Sequence, residues 1–593
     1  MLPIIELAKE WLRLDQDQTT KNEILHLMAE QDEAALETRL RKRLTFGTAG
    51  LRARMEAGFS RINSLTIIQT SQGVAAYVLA QLPDADKRGI VIGFDGRHNS
   101  EKFAKLAAAA FVARGIKVWW LEELVHTPLV PFAINELCAA AGIMITASHN
   151  PPLDNGYKVY WGNGCQIIPP HDARISDAIS AHLDPVTWDT SAVEKGSLVK
   201  GVLGQIRDAY FHAVAGACSI ENRYVTFPVA SRLRFVYTPM HGVGLPYMKR
   251  AVENLGLLPS MAVVPAQATA DPDFPTVVFP NPEERGALDL AIQHAEEHGI
   301  DLVLANDPDA DRFSVAEKVN GKWHQFTGNQ VGILFASYVL EMHSPGASSA
   351  SGTPIAMLAS TVSSRMLSVM AAKEGFYFEE TLTGFKWLGN IAKSLGARQS
   401  SSFDTVFAFE EAIGYMFPSV LYDKDGICAA AVFLSSVRRW NAQGLTPWSK
   451  LTLLYDRYGF FAEDNFYLIS PDPELTNLIF AGIRASKSGD EEYPSRIGGL
   501  QVNRWIDLTE GFDSVADDGK PMLPVQRDAQ MITVELENGV RFTARGSGTE
   551  PKIKIYIDAQ GSSKDAAEEK VKQVRDILVN EWFSPEQYGL KTA

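Results

Sequence analysis

The chain has 593 residues, a length that suggests roughly three to five domains. Its 46% hydrophobic and 21% charged residues are typical of globular proteins and exclude a disordered or fibrous chain. The net charge of −15 disfavours a nucleic-acid partner. The sequence contains no run of about 18 apolar residues, so we expect no membrane span.

Cysteine usage and the N-terminus indicate where the protein works. The four cysteines (Cys138, Cys165, Cys218 and Cys428) are far apart and form no CxxC pair, which disfavours a zinc site or a disulfide framework. The first apolar run of the chain is interrupted by charges, so it does not resemble a signal peptide. We therefore expect a cytoplasmic protein.

The first patterned stretch begins with a strand-like run at residues 90–95. A predicted helix follows from about Glu101 to Gly115, and a second strand covers 116–121. Another predicted helix, 129–141, stops at Gly142, and a strand at 143–146 then leads into a polar loop. Helices that end at glycine and alternate with short β-branched runs indicate βαβ units.

That polar loop, residues 146–152 (TASHNPP), places Ser148 at its tip. A phosphorylated serine there would carry about −1.5 to −2 charges, and the two prolines would stiffen the exit. An ordinary Asn-Pro turn explains the same residues. His149 could pair with Ser148 as in a hydrolase, but neighbouring residues leaving a strand point to opposite sides, which disfavours the pair.

Two further stretches repeat this order of strands and helices, and each also ends in a polar loop. Because open α/β sheets bind ligands at the carboxyl ends of their strands, three such loops indicate a shared site. The strand-like runs are 235–238 and 302–305 in the second stretch and 355–359 and 406–409 in the third, with helices ending near Gly256, Gly299, Gly375 and Gly396.

The loop of the second stretch is the best candidate for a metal site. Asp307, Asp309 and Asp311 alternate, so their carboxylates fall on one side of a tight loop, as the hard oxygen ligands of Mg²⁺ require. An EF-hand needs Gly and Glu where this chain has Arg312 and Lys318, so a calcium loop is excluded. A solvated acidic turn remains the alternative.

The loop of the third stretch, residues 410–415 (EEAIGY), begins with Glu410 at a strand end, where a carboxylate can accept hydrogen bonds from sugar hydroxyls. The segment 383–387 (TGFKW) could add an aromatic wall and the cation Lys386. A charged turn and a helix start that packs its aromatics explain these two segments equally well.

The region beyond Tyr458 differs and is predicted to be a smaller α+β domain, with strands at 531–536 and 553–557 and a helix at 563–582. Its loop 545–552 (RGSGTEPK) resembles an anion nest, with Arg545 as a phosphate clamp, although a glycine-rich hairpin fits as well. Neither a Walker A loop nor a GxGxxG motif occurs, so nucleotide binding has no support.

Together these loops resemble those of the α-D-phosphohexomutase superfamily, in the same order and over nearly the whole chain. The phrases 46–52 (FGTAGLR), 383–387 and 409–415 are similar to the eukaryotic phosphopentomutase/phosphoglucomutase-2 branch. The resemblance implies three similar mixed α/β domains plus a C-terminal α+β domain around a central cleft. We expect the domains at 1–220, 221–335, 336–457 and 458–593.

The resemblance also implies roles for individual residues. Ser148 becomes the phosphoserine, and Asp307, Asp309 and Asp311 hold Mg²⁺ together with one of its phosphate oxygens. The catalytic residues are then Ser148, Lys158, Arg52 and His149. Lys158 is the first choice as general acid/base, and Lys424 is the second. Substrate binding falls to Arg312, Glu410, Lys424, Lys386, Arg545, Ser547 and Thr549.

The expected activity is a mutase that interconverts sugar 1-phosphates with 5- or 6-phosphates through a bisphosphate, with a sugar bisphosphate as activator. Many hexose mutases carry a serine where this chain has Ala412, which puts strict glucose specificity in doubt. A glucose-1,6-bisphosphate synthase of the same branch, a phosphatase and a non-catalytic binding protein remain alternatives. We expect a monomer that binds a small sugar phosphate, and neither nucleic acid nor membrane.

Overall fold

The computed structural model describes residues 2–46, 50–218, 233–343, 352–398, 402–470, 472–485, 493–527, 529–546 and 552–592. The chain divides into two compact units. The first takes its described residues from 1–344, 349–355 and 384–447, and the second from 345–348, 356–383 and 448–593. Within the described ranges, no helix combines the length and the apolarity that crossing a bilayer requires.

Three helices open the first unit: α1 (Ile4–Leu14), α2 (Gln18–Ala29) and α3 (Glu33–Leu40). The side chains of Asp17 and Asp32 accept hydrogen bonds from backbone N–H groups at the starts of α2 and α3, which satisfies donors that a helix start leaves open. Trp11 is fully buried in the small core of these helices.

The first sheet of this unit has six strands in the order β1-β5-β4-β2-β3-β6, and its central strands are parallel. Its core is formed by branched aliphatic, alanine and aromatic residues of the strands and of the helices packed on them. The elements are β1 (Leu51–Arg54), α4 (Ser64–Gln81), α5 (Ala85–Arg88), β2 (Ile90–Phe94), α6 (Ser100–Ala113), β3 (Val118–Trp120), α7 (Leu129–Leu137), β4 (Ala141–Ile145), β5 (Asp154–Trp161), α8 (His171–Ser180), α9 (Ser191–Lys195), β6 (Val199–Gly201) and α10 (Leu203–Cys218).

The second sheet of the unit has five strands in the order β11-β10-β9-β7-β8, of which β7, β8 and β9 are parallel. Two 3₁₀ turns, Leu258–Ser260 and Pro265–Gln267, flank β8. The elements are β7 (Phe235–Thr238), α11 (Gly244–Asn254), β8 (Met261–Val263), α12 (Asp289–His298), β9 (Leu302–Ala305), β10 (Ser314–Val319), β11 (Lys322–Gln325) and α13 (Gly328–Glu341).

The third α/β segment contributes elements to both units. In the second unit, β12 (Ile355–Ser360) pairs in parallel with β13 (Tyr377–Thr381), and α14 (Met366–Glu374) connects them. In the first unit, β14 pairs with β15 in an antiparallel hairpin, and a helix precedes and follows that hairpin. These elements are α15 (Phe385–Ala397), β14 (Asp404–Glu410), β15 (Gly414–Met416) and α16 (Gly426–Asn441).

The remainder of the second unit is an antiparallel sheet in the order β17-β18-β20-β21-β22-β16-β23, with β19 paired to β18. A π-helical turn, Leu578–Phe583, continues its long C-terminal helix. The elements are α17 (Pro447–Tyr458), β16 (Phe460–Ile469), α18 (Pro473–Ala485), β17 (Arg496–Ile497), β18 (Leu500–Asp507), β19 (Phe512–Asp513), β20 (Met531–Leu536), β21 (Val540–Gly546), β22 (Lys552–Gly561), α19 (Lys564–Ile577), α20 (Pro585–Tyr588) and β23 (Lys591–Thr592).

The expected fold class, three mixed α/β domains followed by a C-terminal domain built on a sheet, is confirmed. One predicted helix end is wrong, because α7 stops at Leu137 and Cys138 takes the left-handed conformation that ends it. Gly142 lies inside β4, where a Cβ atom would come within 2.6 Å of Ile134 Cδ1. That glycine serves close packing of helix on strand. α15 ends at Ala397, next to the predicted end at Gly396.

Candidate active site

Ser148 sits in a sharp loop directly after β4. Its φ of 54° is left-handed, and its N–H donates to Thr146 Oγ1 at 2.9 Å. The guanidinium of Arg97 donates to three carbonyls of this loop, among them that of Ser148 at 2.5 Å, and to the carbonyl of Asp154 at the start of β5. A conformation that costs energy in isolation is therefore held by its surroundings.

Sequence reasoning missed Arg97. It follows β2 in the segment 95–97 (DGR), so a polar loop after a buried strand was the available signal. The side chain of Arg97 is 1% exposed, and its Nε lies 3.5 Å from the buried carboxylate of Asp95. Asp95 also accepts hydrogen bonds from the backbone N–H of Arg97 and from Ser100 Oγ. The guanidinium is thus neutralised on one side and bound to loop carbonyls on the other.

The three aspartates follow β9 in a tight loop that turns at Ala310, whose φ is 50°. All three are fully buried, and their ligand oxygens lie within 4.8 Å of one another. Burial, followed by the charges of Asp309 and Asp311, raises the pKa of Asp307 well above its ordinary value. Three acidic groups this close require cations nearby.

Ser148 and the aspartate loop are in direct contact. Ser148 Oγ donates to Asp307 Oδ2 at 3.0 Å, and the other oxygen of Asp307 accepts from Arg312 N at 2.9 Å. Ser148 Oγ also lies 3.2 Å from His149 Nδ1, so the expectation that these neighbours point apart is wrong. The left-handed turn at Ser148 breaks the alternation that a strand would impose. Burial, with Arg312 and Arg52 nearby, holds the pKa of His149 well below its ordinary value.

Two lysines supply charge to the same loop. Lys158 Nζ, on β5, donates to Asp309 Oδ2 at 2.8 Å and to Asp311 Oδ2 at 2.9 Å, and Lys424 Nζ lies 2.8 Å from Asp311 Oδ2. Burial opposes the charge of Lys158, but the two carboxylates outweigh it and raise its pKa above the ordinary value. Burial likewise opposes ionisation of Asp309, and Lys158 nonetheless holds its pKa well below normal.

Thr127, on the loop between β3 and α7, fixes Asp309 from the other side. Its hydroxyl donates to Asp309 Oδ2 at 2.5 Å, and its backbone N–H donates to the Asp309 carbonyl at 2.9 Å. Sequence reasoning missed this residue, because a threonine 182 positions away carries no local signal of such a contact.

The free oxygens of the cluster indicate a cation. In the described part of the chain, Asp309 Oδ1 and Asp311 Oδ1 are buried and accept no hydrogen bond. A buried carboxylate oxygen without a partner is costly unless a cation lies beside it. Carboxylate oxygens are the ligands of a hard cation such as Mg²⁺, so the residues present fit that ion.

Two arginines complete the positive side of the site. Arg52, on β1, is half-buried and its Nη1 lies 3.3 Å from Asn150 Oδ1, while Arg312 Nη1 lies 3.5 Å from Asn281 Oδ1. Among the described residues, the Nε–H groups of both arginines are buried without an acceptor. Burial lowers the pKa of Arg52, although the aspartates oppose that shift. Unused guanidinium donors beside a serine suit phosphate oxygens.

Helix α16 holds Lys424 against the aspartate loop. Gly426, its first residue, donates its N–H to the Ala310 carbonyl at 3.2 Å. A Cβ atom on Gly426 would come 2.2 Å from the Arg312 carbonyl, so only glycine permits this approach. The carboxylate of Asp425 accepts from two backbone N–H groups of the first turn, and Tyr210 donates its hydroxyl to it.

The remaining residues with expected roles lie elsewhere in the chain. In the first unit, Glu410 ends β14 and accepts from the N–H of Gly384, while Lys386 Nζ lies 5.9 Å from the Trp387 ring centroid. In the second unit, Arg545 on β21 donates to Thr383 Oγ1. Ser547 and Thr549 lie outside the described residues.

Comparison with known families covers most of the chain. Family models described as phosphoglucomutase/phosphomannomutase alpha/beta/alpha domains I, II and III match residues 43–184, 208–321 and 327–458. The model of the C-terminal domain of the same family matches residues 507–577.

Curated relatives align over nearly their whole length. A probable phosphoribomutase of Schizosaccharomyces pombe is 46% identical, with 100% of each chain covered. A phosphopentomutase of Mus musculus is 41% identical, covering 98% of this chain and 95% of the relative. A glucose 1,6-bisphosphate synthase of Mus musculus is 40% identical, covering 98% and 94%.

Among solved structures, a putative phosphomannomutase from Thermus thermophilus shares the fold with a TM-score of 0.63 and 21% identity, covering 90% of this chain and 99% of that one.

Proposed function

The chain belongs to the phosphoglucomutase/phosphomannomutase family, and on that premise we propose that it is a phosphopentomutase that works through phospho-Ser148. The observation that carries the proposal is the contact between Ser148 Oγ and Asp307, in a cluster of three buried carboxylates, two lysines and two arginines. Such a cluster stabilises a doubly charged phosphoserine and the charge that moves during transfer.

The reaction has two phosphoryl transfers. In the first, the bond between phosphorus and the Ser148 oxygen breaks, a bond to the free hydroxyl of the sugar phosphate forms, and the hydroxyl proton passes to a base. In the second, the bisphosphate returns its other phosphoryl group to Ser148, and the base gives its proton to the sugar oxygen that is left. The protein ends phosphorylated as it began, so the net change is a moved phosphate.

The residues around Ser148 divide the electrostatic work. We assign the phosphate oxygens to the unused donors of Arg52 and Arg312. Lys158 is our choice as general acid/base, with Lys424 second, since both already contact the aspartate loop beside Ser148. His149 Nδ1 lies within hydrogen-bond reach of Ser148 Oγ and orients it.

The metal site follows from the donor set. Asp307, Asp309 and Asp311, together with an oxygen of phospho-Ser148, would hold Mg²⁺. When bound, the ion neutralises charge on the phosphoryl oxygens. The family resemblance supports Glu410 and Lys386 as contacts to the sugar, and Arg545, Ser547 and Thr549 as contacts to the phosphate that is not reacting.

A pentose substrate is supported by the relatives and by Ala412. The two mutase relatives bear the names phosphoribomutase and phosphopentomutase. Ala412 follows Glu410 by two positions and supplies no hydroxyl to a hexose. We propose ribose 1-phosphate and deoxyribose 1-phosphate as substrates, a trace of sugar bisphosphate as activator, and a monomer acting in the cytoplasm; its four cysteines are unbonded.

A second candidate function is glucose 1,6-bisphosphate synthesis, because the mouse synthase is almost as similar as the mouse mutase, at 40% against 41% identity. In a synthase another phosphoryl donor would phosphorylate Ser148, and the bisphosphate would be released as product.

One experiment separates the two functions. Purified protein is given ribose 1-phosphate, deoxyribose 1-phosphate or glucose 1-phosphate, with and without a catalytic trace of sugar bisphosphate. A mutase converts each added substrate to its 5- or 6-phosphate in large excess over the trace. If isomerisation never exceeds the trace, and bisphosphate accumulates only when another phosphoryl donor is added, the synthase is correct and the mutase proposal fails.

A further inference from the structure

A second group of metal-binding side chains lies on α12, outside the cluster around Ser148. His294, Glu297 and His298 each offer one ligand atom, and these atoms lie within 4.8 Å of one another. The two histidines are four residues apart on one helix face, and their ring centroids are 4.2 Å apart. The sequence His-x-x-Glu-His is a helical spacing that zinc enzymes also use.

The hydrogen bonds of His298 and Glu297 leave each of these side chains one atom that can bind a metal. His298 Nδ1 lies 2.8 Å from the carbonyl of His294, which can only accept, so in the neutral imidazole the proton is on Nδ1 and Nε2 keeps its lone pair. This is the usual arrangement around a metal-binding histidine, in which the far ring nitrogen donates to a carbonyl or carboxylate. Glu297 Oε1 accepts from Gln293, which leaves its second oxygen for a cation.

The surrounding charges also favour a cation. His298 is the last residue of α12, and the C-terminal end of a helix is the negative end of its dipole. Lys318 and Trp323 both bind Glu296, so these donors do not compete for Glu297. Arg234 is a positive charge that opposes a cation here, and its guanidinium donates to the His298 carbonyl at 3.1 Å.

We propose that His294, Glu297 and His298 form a surface site for a borderline divalent transition-metal ion, with Zn²⁺ as the representative case. Two imidazole nitrogens, one carboxylate oxygen and a water complete a tetrahedral set for zinc. The site differs in chemistry from the buried aspartates, whose oxygen-only donors suit Mg²⁺. It would act as a cross-link within one helix that stabilises its last turn, and it does not depend on the mutase function.

The test is Zn²⁺ binding to the intact protein in the presence of saturating Mg²⁺, which occupies the oxygen site. Equilibrium dialysis with metal analysis gives the zinc bound per chain. We expect one equivalent in the wild type, at least tenfold weaker binding in His294→Ala and in His298→Ala, and no such site in the double variant. Loss of a supporting contact alone typically weakens metal binding tenfold to a hundredfold, so loss of a ligand should do at least as much.

Two matched controls identify the ligands. His212→Ala removes an exposed histidine from α10, and Cys138→Ser removes the exposed thiol; both should bind zinc as the wild type does. Zinc should also raise the melting temperature of the wild type and of the controls, but not of the double variant. If the double variant binds zinc as tightly as the wild type, or if either control abolishes binding, the assignment to α12 is wrong.

Discussion

Arg97 Nη2 donates to the carbonyl of Ser148 at 2.5 Å and to that of Asn150 at 2.6 Å. Nη1 of the same guanidinium donates to the carbonyls of Pro151 at 2.9 Å and Asp154 at 3.2 Å. One side chain therefore holds the loop that presents the serine, and a planar fork of donors is needed to reach all four oxygens.

Arg97→Lys is expected to lower kcat about tenfold to a hundredfold while KM for the sugar phosphate changes little. A lysine keeps the charge but cannot make the four contacts, and a small misplacement of a reacting group costs rates of this order. Steady-state kinetics gives both constants. Arg438→Lys, which alters an arginine that donates to the Leu255 carbonyl, is the matched control and should be near wild type. A wild-type kcat in Arg97→Lys would remove the positioning role.

Thr127→Val should raise the Mg²⁺ concentration that gives half-maximal activity about tenfold to a hundredfold, because it deletes the hydroxyl that orients Asp309. Thr127→Ser keeps that hydroxyl, so it should reach half-maximal activity at nearly the same Mg²⁺ concentration as the wild type. Activity is titrated with Mg²⁺ after removal of metal by chelation. An identical Mg²⁺ dependence in the valine variant would show that the contact between Thr127 and Asp309 does not contribute to metal binding. Full activity in excess chelator would show that the reaction does not require a metal ion.

The two lysines at Asp311 can be ranked by substitution. If Lys158 is the general acid/base, Lys158→Gln should lose about 10²–10⁴ in kcat, and Lys424→Gln should lose less. Removing a buried partner can also cost about 3–5 kcal/mol of stability, so the melting temperature of each variant is measured first and kinetics are run well below it. The opposite order of kcat values would give the role to Lys424.

Ala412→Ser is expected to shift the ratio of kcat/KM values toward glucose 1-phosphate by about fivefold, since one neutral hydrogen bond is worth about 1 kcal/mol. The wild type should turn over ribose 1-phosphate or deoxyribose 1-phosphate at least as efficiently as glucose 1-phosphate. Ala412→Cys, similar in size but a weak donor, is the control and should leave the ratio nearly unchanged. A wild-type preference for glucose of about a hundredfold would contradict the pentose assignment while leaving the mutase intact.

Sequence patterns predicted the strands best where burial is continuous. The runs 235–238 and 302–305 coincide with β7 and β9, because short apolar runs bounded by turns are typical of fully buried strands. The predicted end of α7 is wrong. The pattern assigns Gly142 as the residue that stops the helix, whereas in the structure it lies inside β4 and permits close packing. A glycine alone does not reveal whether the backbone or a neighbouring side chain requires it.

The candidate site was predictable only where one loop carried its own chemistry. The alternating spacing of three aspartates in one loop indicates a metal site, and the structure adds that Asp307, Asp309 and Asp311 are buried and therefore need a cation. Thr127 and Arg97 act through contacts made by folding, 182 and 51 positions away from Asp309 and Ser148, and no local pattern encodes such distances. The contact of Ser148 with His149 is considered from the sequence but disfavoured, because strand alternation does not anticipate a left-handed residue.

The most direct test of the phosphoserine mechanism is to detect the phosphate on Ser148 and to remove the serine hydroxyl that carries it. After incubation with sugar bisphosphate and Mg²⁺, intact-mass and peptide analysis should find one phosphate, on the peptide that contains Ser148. Ser148→Ala should carry none, should still fold and unfold cooperatively, and should lose mutase turnover. A Ser148→Ala protein that isomerises sugar phosphates at near-normal rates would contradict the mechanism.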